Sequence, residues 1–306
     1  MKPSVSLYHF LDKLIDYAGL FPPAKLEIEP SLKNYAEYIK STDKWMMSQF
    51  IIPVLRLNEI PTGLMKNYSE NFPLKLSLIS GDICNDIATV NKFINMNNNS
   101  TIFTGYESRI SDLAMFSQNL LDVQELGQNQ NLNFESFYEV SPNDSWMNQM
   151  NEAVSIISAF NAEYEAGVGF KLRCGGIEAN MFPPADNIAQ AILACRDASV
   201  SMKFTAGLHH PVRHYSESVK TKMYGFFNIF IGGMIADKFN LEADTLTTIL
   251  LDENPENFTF DDNGLHWKTY SISNLEIQNY RQESFISYGS CSFNEPREDL
   301  QQLGLL

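Results

Sequence analysis

Apolar residues along this chain follow two rhythms that alternate from one end to the other. Short apolar runs bounded by Gly, Pro, Ser or Asp lie at 14–20, 48–55, 74–80, 101–108, 133–140, 168–174, 201–206 and 284–288. Between them lie stretches with apolar residues at helical spacing: 32–40, 84–94, 113–125, 146–164 and 186–198. Brief continuous runs read as strands buried on both faces, and a 3.6-residue period reads as amphipathic helix. A regular strand–helix alternation implies right-handed crossovers and a parallel sheet, and eight units are the number that closes into a barrel. The predicted fold class is therefore α/β, a single (β/α)8 TIM-type barrel over residues 1–306, with a doubly wound open sheet as the rival.

Some segments depart from the alternation. The second unit's helix, at 61–70, is poorly patterned, and 241–279 reads as an insertion before the last strand, with a small strand pair at 258–260 and 267–270. The most apolar run, 225–236, is too short to span a bilayer and reads as a buried helix. The Asn-rich stretch 95–99 reads as a loop tip.

Composition narrows the functional classes. With 306 residues, 44% of them hydrophobic, the chain can bury a large core. Lys and Arg number 22 against 37 Asp and Glu, a net charge of −15. Such a surface repels polyphosphate backbones and anionic lipid, which argues against nucleic acid and membrane as partners. A small anionic or oxygenated metabolite would need a local cationic site. Cys84, Cys174, Cys195 and Cys291 show no metal-ligand spacing, and charges interrupt the apolar residues near the N-terminus, unlike a signal peptide. A reducing, cytoplasmic setting follows as an expectation, and self-association into a homo-oligomer stays open.

In a barrel, function gathers at the C-terminal ends of the strands, where this chain places its unusual residues. They include Asp16 and Tyr17, Glu107 and Arg109, Glu139, Lys171 and Arg173, Lys203 and Thr205, then Gly289, Ser290 and Ser292. Strand alternation turns Lys171 with Arg173, and Lys203 with Thr205, to one side. Two crowded, buried ammonium groups disfavour each other's charge, which is how an amine becomes a nucleophile near neutral pH. The bland alternative is an ion-pair lattice in which Lys171 and Lys203 merely neutralise Glu107 and Glu139.

The run Lys171-Leu-Arg-Cys-Gly-Gly176, followed by Lys203-Phe-Thr-Ala-Gly207, resembles the sixth and seventh strands of the class I aldolase family of deoxyribose-phosphate aldolase. Phe137-Tyr-Glu139-Val is similar to that family's fifth strand, and Tyr288-Gly-Ser-Cys-Ser292 occupies the place of its phosphate-holding turn. The resemblance covers about the second half of the chain. It implies a Schiff base on Lys171, tuning by Lys203, and substrate phosphate near Gly289 and Ser290. Gly207-Leu-His-His-Pro-Val-Arg-His214 departs from the family's Gly-Gly turn, and Glu107 is nearest to its fourth-strand acid. Across its length, through Tyr17-Ala-Gly-Leu-Phe-Pro-Pro-Ala24 among other segments, the chain also resembles a group of bacterial proteins, a likeness that carries no function.

His209, His210 and His214 form the second cluster. Pro211 favours a first helical turn, which would put His210 and His214 on one face at i, i+4 spacing. With Glu107 or Glu139 they would form a divalent-metal site for a lyase, isomerase or hydrolase; otherwise His209 and His210 serve as substrate-binding or proton-transfer groups. The leading reading uses no cofactor. Lys171 is the nucleophile, Lys203 its neighbour, Glu139, Glu107, His209 and His210 move protons, and Arg173, Thr205, Gly207, Arg213, Gly289, Ser290, Ser292, Asp16 and Tyr17 hold substrate. A barrel that binds a metabolite without turnover is the third reading.

Overall fold

The structure, a computed structural model, describes residues 3–97 and 100–306. Eight parallel strands close into a barrel: β1 (Ile15–Tyr17), β2 (Met47–Pro53), β3 (Leu74–Ile79), β4 (Thr101–Arg109), β5 (Glu135–Glu139), β6 (Gly169–Arg173), β7 (Met202–Thr205) and β8 (Phe285–Ser290). Each strand pairs with its chain neighbour, and β8 returns to β1 through Ile15 opposite Tyr288. All eight predicted strands are present and the open-sheet rival is excluded.

Helices follow seven of the strands: Ile28–Tyr38, Ile83–Met96, Phe116–Gln130, Trp146–Tyr164, Ala185–Asp197, Phe226–Lys238 and Asn294–Gln302. After β2 the chain instead makes two 3-10 segments, Val54–Glu59 and Thr62–Asn67, entered by Pro53 and Pro61. The missing helical period at 61–70 has this origin, since an extended proline starts each segment anew. The Asn-rich stretch divides: Asn95 belongs to the helix Ile83–Met96, Asn97 ends it, and Asn98 and Asn99 lie outside the described residues.

The helix Phe226–Lys238 is buried on every side from Phe226 to Ala236. Its inner face meets β8, and its outer face is covered by the inserted helix Ala243–Leu250 and an inserted antiparallel sheet. That sheet has three strands, Phe258–Phe260, Gly264–Trp267 and Tyr270–Ser273. The predicted second strand at 267–270 is thus the turn between the last two, with Trp267 opposite Tyr270 and Lys268 at φ 52°. Among the described residues no helix is long and apolar enough to cross a membrane.

A buried arginine closes the lower end of the barrel. Arg281, on the helix Asn274–Glu283, donates to the carbonyls of Phe10, Asp12, Phe285 and Ile286, joining the N-terminal helix Val5–Leu11 to β8. It has no acidic partner in these contacts; four main-chain oxygens take the place of one.

Candidate active site

Strand register sets the site. Lys171 on β6 lies beside Lys203 on β7, and Arg173 beside Thr205, so both lysines point into the barrel interior. With only β5 between it and β6, β4 brings Glu107 inward. A bulge at Thr104 precedes it, where the partners on β3 shift from Leu76 opposite Phe103 to Ser77 opposite Gly105. Bulges re-aim the residues that follow them.

The result is a row of alternating charge across the barrel. Lys203 Nζ lies 2.8 Å from Asp16 Oδ2 and also contacts Glu107 Oε1. Lys171 Nζ lies 2.7 Å from the other oxygen of Glu107 and 3.4 Å from Glu139 Oε2. The remaining oxygen of Glu139 is shared by Arg109 Nε at 3.1 Å and Arg173 Nη2 at 3.2 Å. Hydroxyl donors hold the carboxylates from below: Ser77 donates to Glu107 at 2.7 Å and Ser287 to Asp16 at 2.6 Å.

Burial and pairing compete at each member of the row. Burial favours the acid form of Glu107, but Lys171 and Lys203 outweigh it and hold the carboxyl well below its usual range. Glu139 behaves alike: burial is outweighed by Lys171, Arg173 and Arg109. At Lys203, burial disfavours the ammonium, yet Asp16 and Glu107 prevail and hold it above the usual lysine range. The expectation that crowding would neutralise an amine therefore fails at Lys203. The two lysines do not face each other across empty space; Glu107 stands between them. The two lysines are adjacent, and they are also joined in an ion-pair lattice.

Above the row opens a cavity of about 570 Å³. Lys171, Glu107 and Glu139 reach it, whereas Lys203, with 1% of its side chain exposed, lies beneath. Arg109, Arg173, Thr205, Gly207, Gly289 and His209 line the wall on the charged side. Phe21, Ile51, Ile79, Ile177 and Met181 supply its apolar lining.

The chain matches no protein-family model and no curated protein.

Several predicted residues lie elsewhere. Tyr17 turns outward, its ring packed against Tyr38 and Phe50 and its hydroxyl accepting from Asn34, so it belongs to the barrel–helix core. Asp16 is fully buried as the partner of Lys203, which makes it a supporting group and not a substrate contact. Arg213 pairs with Glu253 and lies over the Tyr224 ring, away from the cavity lining. Ser290 and Ser292 spend their polar groups on their own loop: Ser290 Oγ donates to the Ser292 carbonyl at 2.7 Å, and Ser292 Oγ accepts the Glu295 amide at 3.1 Å. The expected anion turn therefore does not form there, and Glu295 in the first turn of the following helix adds repulsion. Gly289 alone of that group faces the cavity, because strand alternation sends Ser290 outward.

The histidines also separate. His210 to Arg213 run irregularly and His214 opens the short strand His214–Ser216, so the expected helical face is absent. The His210 and His214 rings still meet at 4.1 Å, but His210 Nδ1 contacts Asp299 and His214 Nδ1 faces the Val212 carbonyl at 3.2 Å. Glu107 and Glu139 are held by the lysines and arginines instead. Among the described residues no group of three or more His, Cys, Asp or Glu side chains is placed to hold a metal ion. His209 does line the cavity, 2.9 Å from Glu295 and 4.0 Å from the Cys291 sulfur. Burial opposes its charge, but Cys291 and Glu295 outweigh that and push it up to about 9.

Sequence reasoning singled out neither Ile51, Ile79, Ile177 and Met181 as cavity wall nor Cys291 as more than packing. Ile51 and Ile79 resemble any core residue on a strand. Ile177 and Met181 carry a weak signal, being apolar residues in a Gly-rich loop directly after a lysine strand.

Proposed function

We propose that this protein is a Schiff-base enzyme of the lyase type, in which Lys171 attacks the carbonyl of a small oxygenated or anionic compound. The observation that carries the reading is the division of labour between the lysines: one amine borders the cavity while its neighbour is sealed below it and held charged. Attack requires Lys171 to shed a proton, and Glu139 Oε2, 3.4 Å away, is placed to receive it. The new C–N bond forms a carbinolamine; expulsion of its oxygen as water, with a proton from Glu139, leaves a protonated imine. That imine withdraws the electron pair of an adjacent C–C bond as the bond breaks, or stabilises the carbanion that forms one. The fixed ammonium of Lys203 holds one oxygen of Glu107, whose other oxygen positions the Lys171 amine at the cavity. Arg109 and Arg173 orient an anionic group. The lysine is the covalent catalyst, so the reading calls for no separate cofactor, and it keeps the cytoplasmic setting expected from the sequence.

The ion-paired lattice also suits a barrel that binds such a compound without turning it over. Borohydride trapping separates the two. Incubation with a small aldehyde or ketone and borohydride should add mass to Lys171, Lys171→Ala should abolish the label, and Lys203→Leu should reduce it. Labelling of neither lysine, in protein that still binds the compound, removes the Schiff-base reading in favour of binding alone.

A further inference from the structure

The cavity has two unlike walls, and its charge does not cancel. Around Lys171 four cations, Lys171, Lys203, Arg109 and Arg173, face three carboxylates, Asp16, Glu107 and Glu139. One positive charge is left over, and forming a protonated imine on Lys171 preserves it. His209 adds nothing to the excess, because Glu295 matches it. A dianionic phosphate would overshoot this balance, and the hydroxyls of Ser290 and Ser292, the natural partners for phosphate, are occupied by their own loop.

The excess sits with the outermost cations. Arg109 keeps 67% of its side chain exposed and Arg173 30%, while both converge on one oxygen of Glu139. An incoming anion can therefore reach both guanidiniums while the Lys203–Glu107–Lys171 contacts beneath stay in place.

The facing wall is apolar. Ile51 on β2 and Ile79 at the end of β3 border the cavity with Phe21 from the turn after β1. Across the opening, Ile177 and Met181 also line it and stand 49% and 45% exposed. Large apolar side chains left open at the mouth of a cavity gain by being covered, and a hydroxylated sugar chain would cover them poorly.

We infer that the cavity takes a singly charged carboxylate bearing a carbonyl and a short branched apolar tail, with the carboxylate on Arg109 and Arg173 and the tail against Ile51, Ile79 and Phe21. A branched 2-oxo acid is the simplest compound of this class. This inference rests on the Schiff-base reading for the carbonyl alone; the carboxylate and the tail have their own partners. It also couples binding to chemistry. A substrate carboxylate that draws Arg109 and Arg173 away from Glu139 removes two of the three cations holding that carboxyl ionised. Glu139 then becomes a better proton acceptor for Lys171 when an anionic substrate is in place.

The test uses 4-methylpentanoate, which has the charge and tail but no ketone, in isothermal titration of the full chain. It should bind at least tenfold more tightly than acetate, inorganic phosphate or glyceraldehyde 3-phosphate. Arg109→Gln, at a mostly exposed side chain, and Ile79→Ser should each weaken it about tenfold, with circular dichroism melting used to confirm folding. Tighter binding of either phosphate, or full affinity in both variants, overturns the inference. A parallel borohydride experiment with 4-methyl-2-oxopentanoate keeps the two proposals apart: if 4-methylpentanoate binds as expected and Lys171 stays unlabelled by the oxo acid, the Schiff-base reading fails and the carboxylate-and-tail site stands.

Discussion

Replacing Lys203 by Met keeps most of the side-chain volume and removes the charge between Asp16 and Glu107. Lys203 is 0% exposed, its ammonium contacts both carboxylates, and it lies 5.7 Å from the Phe137 ring centroid. In the variant Glu107 keeps Lys171 and Ser77, but Asp16 keeps only Ser287, and its second oxygen is buried without a hydrogen-bond partner already. Removing one partner from a buried ion pair costs about 3–5 kcal/mol, because the remaining charge stays buried and uncompensated. For a domain of this size each kcal/mol moves the melting temperature by roughly 2 °C, so a fall of about 6–10 °C follows. The cost should also depend on pH. In the wild type Glu107 has a depressed folded pKa, so its contribution is present above the unfolded carboxyl range and is lost in acid. In Lys203→Met Glu107 has lost one of its two lysines, so less stability remains to be lost in acid and the gap between the two proteins should narrow as pH falls below about 5. Adding Asp16→Asn to Lys203→Met should recover part of the loss, since it removes the charge that lost its partner. Guanidinium denaturation at several pH values reads all three quantities. A loss below about 1 kcal/mol at pH 7, or an identical gap at pH 7 and pH 4, would refute the claim that this row is a tightly coupled buried lattice.

Three further outcomes can be measured on single variants. Asn228, fully buried, donates to the Ile249 and Asp252 carbonyls and accepts the Arg213 amide; Asn228→Leu strands these groups and should cost about 2–4 kcal/mol by urea denaturation, while an unchanged midpoint would show that water replaces the side chain. A Cβ at Gly225 would fall 2.2 Å from the Pro211 carbonyl oxygen and 2.4 Å from Val212 Cα, both main chain, so Gly225→Ala should destabilise the protein by about 1–3 kcal/mol in urea denaturation, and an unchanged midpoint would show that the Pro211–Val212 main chain yields. Because the folded pKa of His209 is raised to about 9, its contribution is present below about pH 6.5 and is lost as pH rises through 9. Stability should fall across that window by no more than about 1.4 kcal/mol per pH unit, and His209→Ala should flatten the slope in thermal melts; an equal slope in the variant would assign the effect to another group.

The barrel was legible in the sequence because its signal is local. A strand buried on both faces must be apolar throughout and a covering helix must be apolar on one side, so the eight strands and most of the covering helices announce themselves within about ten residues. Lys171, Lys203, Glu107 and Glu139 were legible for a related reason, since charge inside such strands needs an explanation wherever the strand goes. What the sequence could not say is who faces whom. The bulge at Thr104 that aims Glu107 between the lysines, and the outward turn of Tyr17 and Ser290, depend on register and alternation counted from exact strand ends. The placement of one lysine at the cavity and the other beneath it comes from the tilt and depth of neighbouring strands, as does the meeting of Arg109 and Arg173 on Glu139 from two different strands. The apolar wall was illegible for a simpler reason. Ile51 and Ile79 have the same side chain whether they face a helix, a packed interior or an open cavity, and only the closed barrel decides which surface they meet.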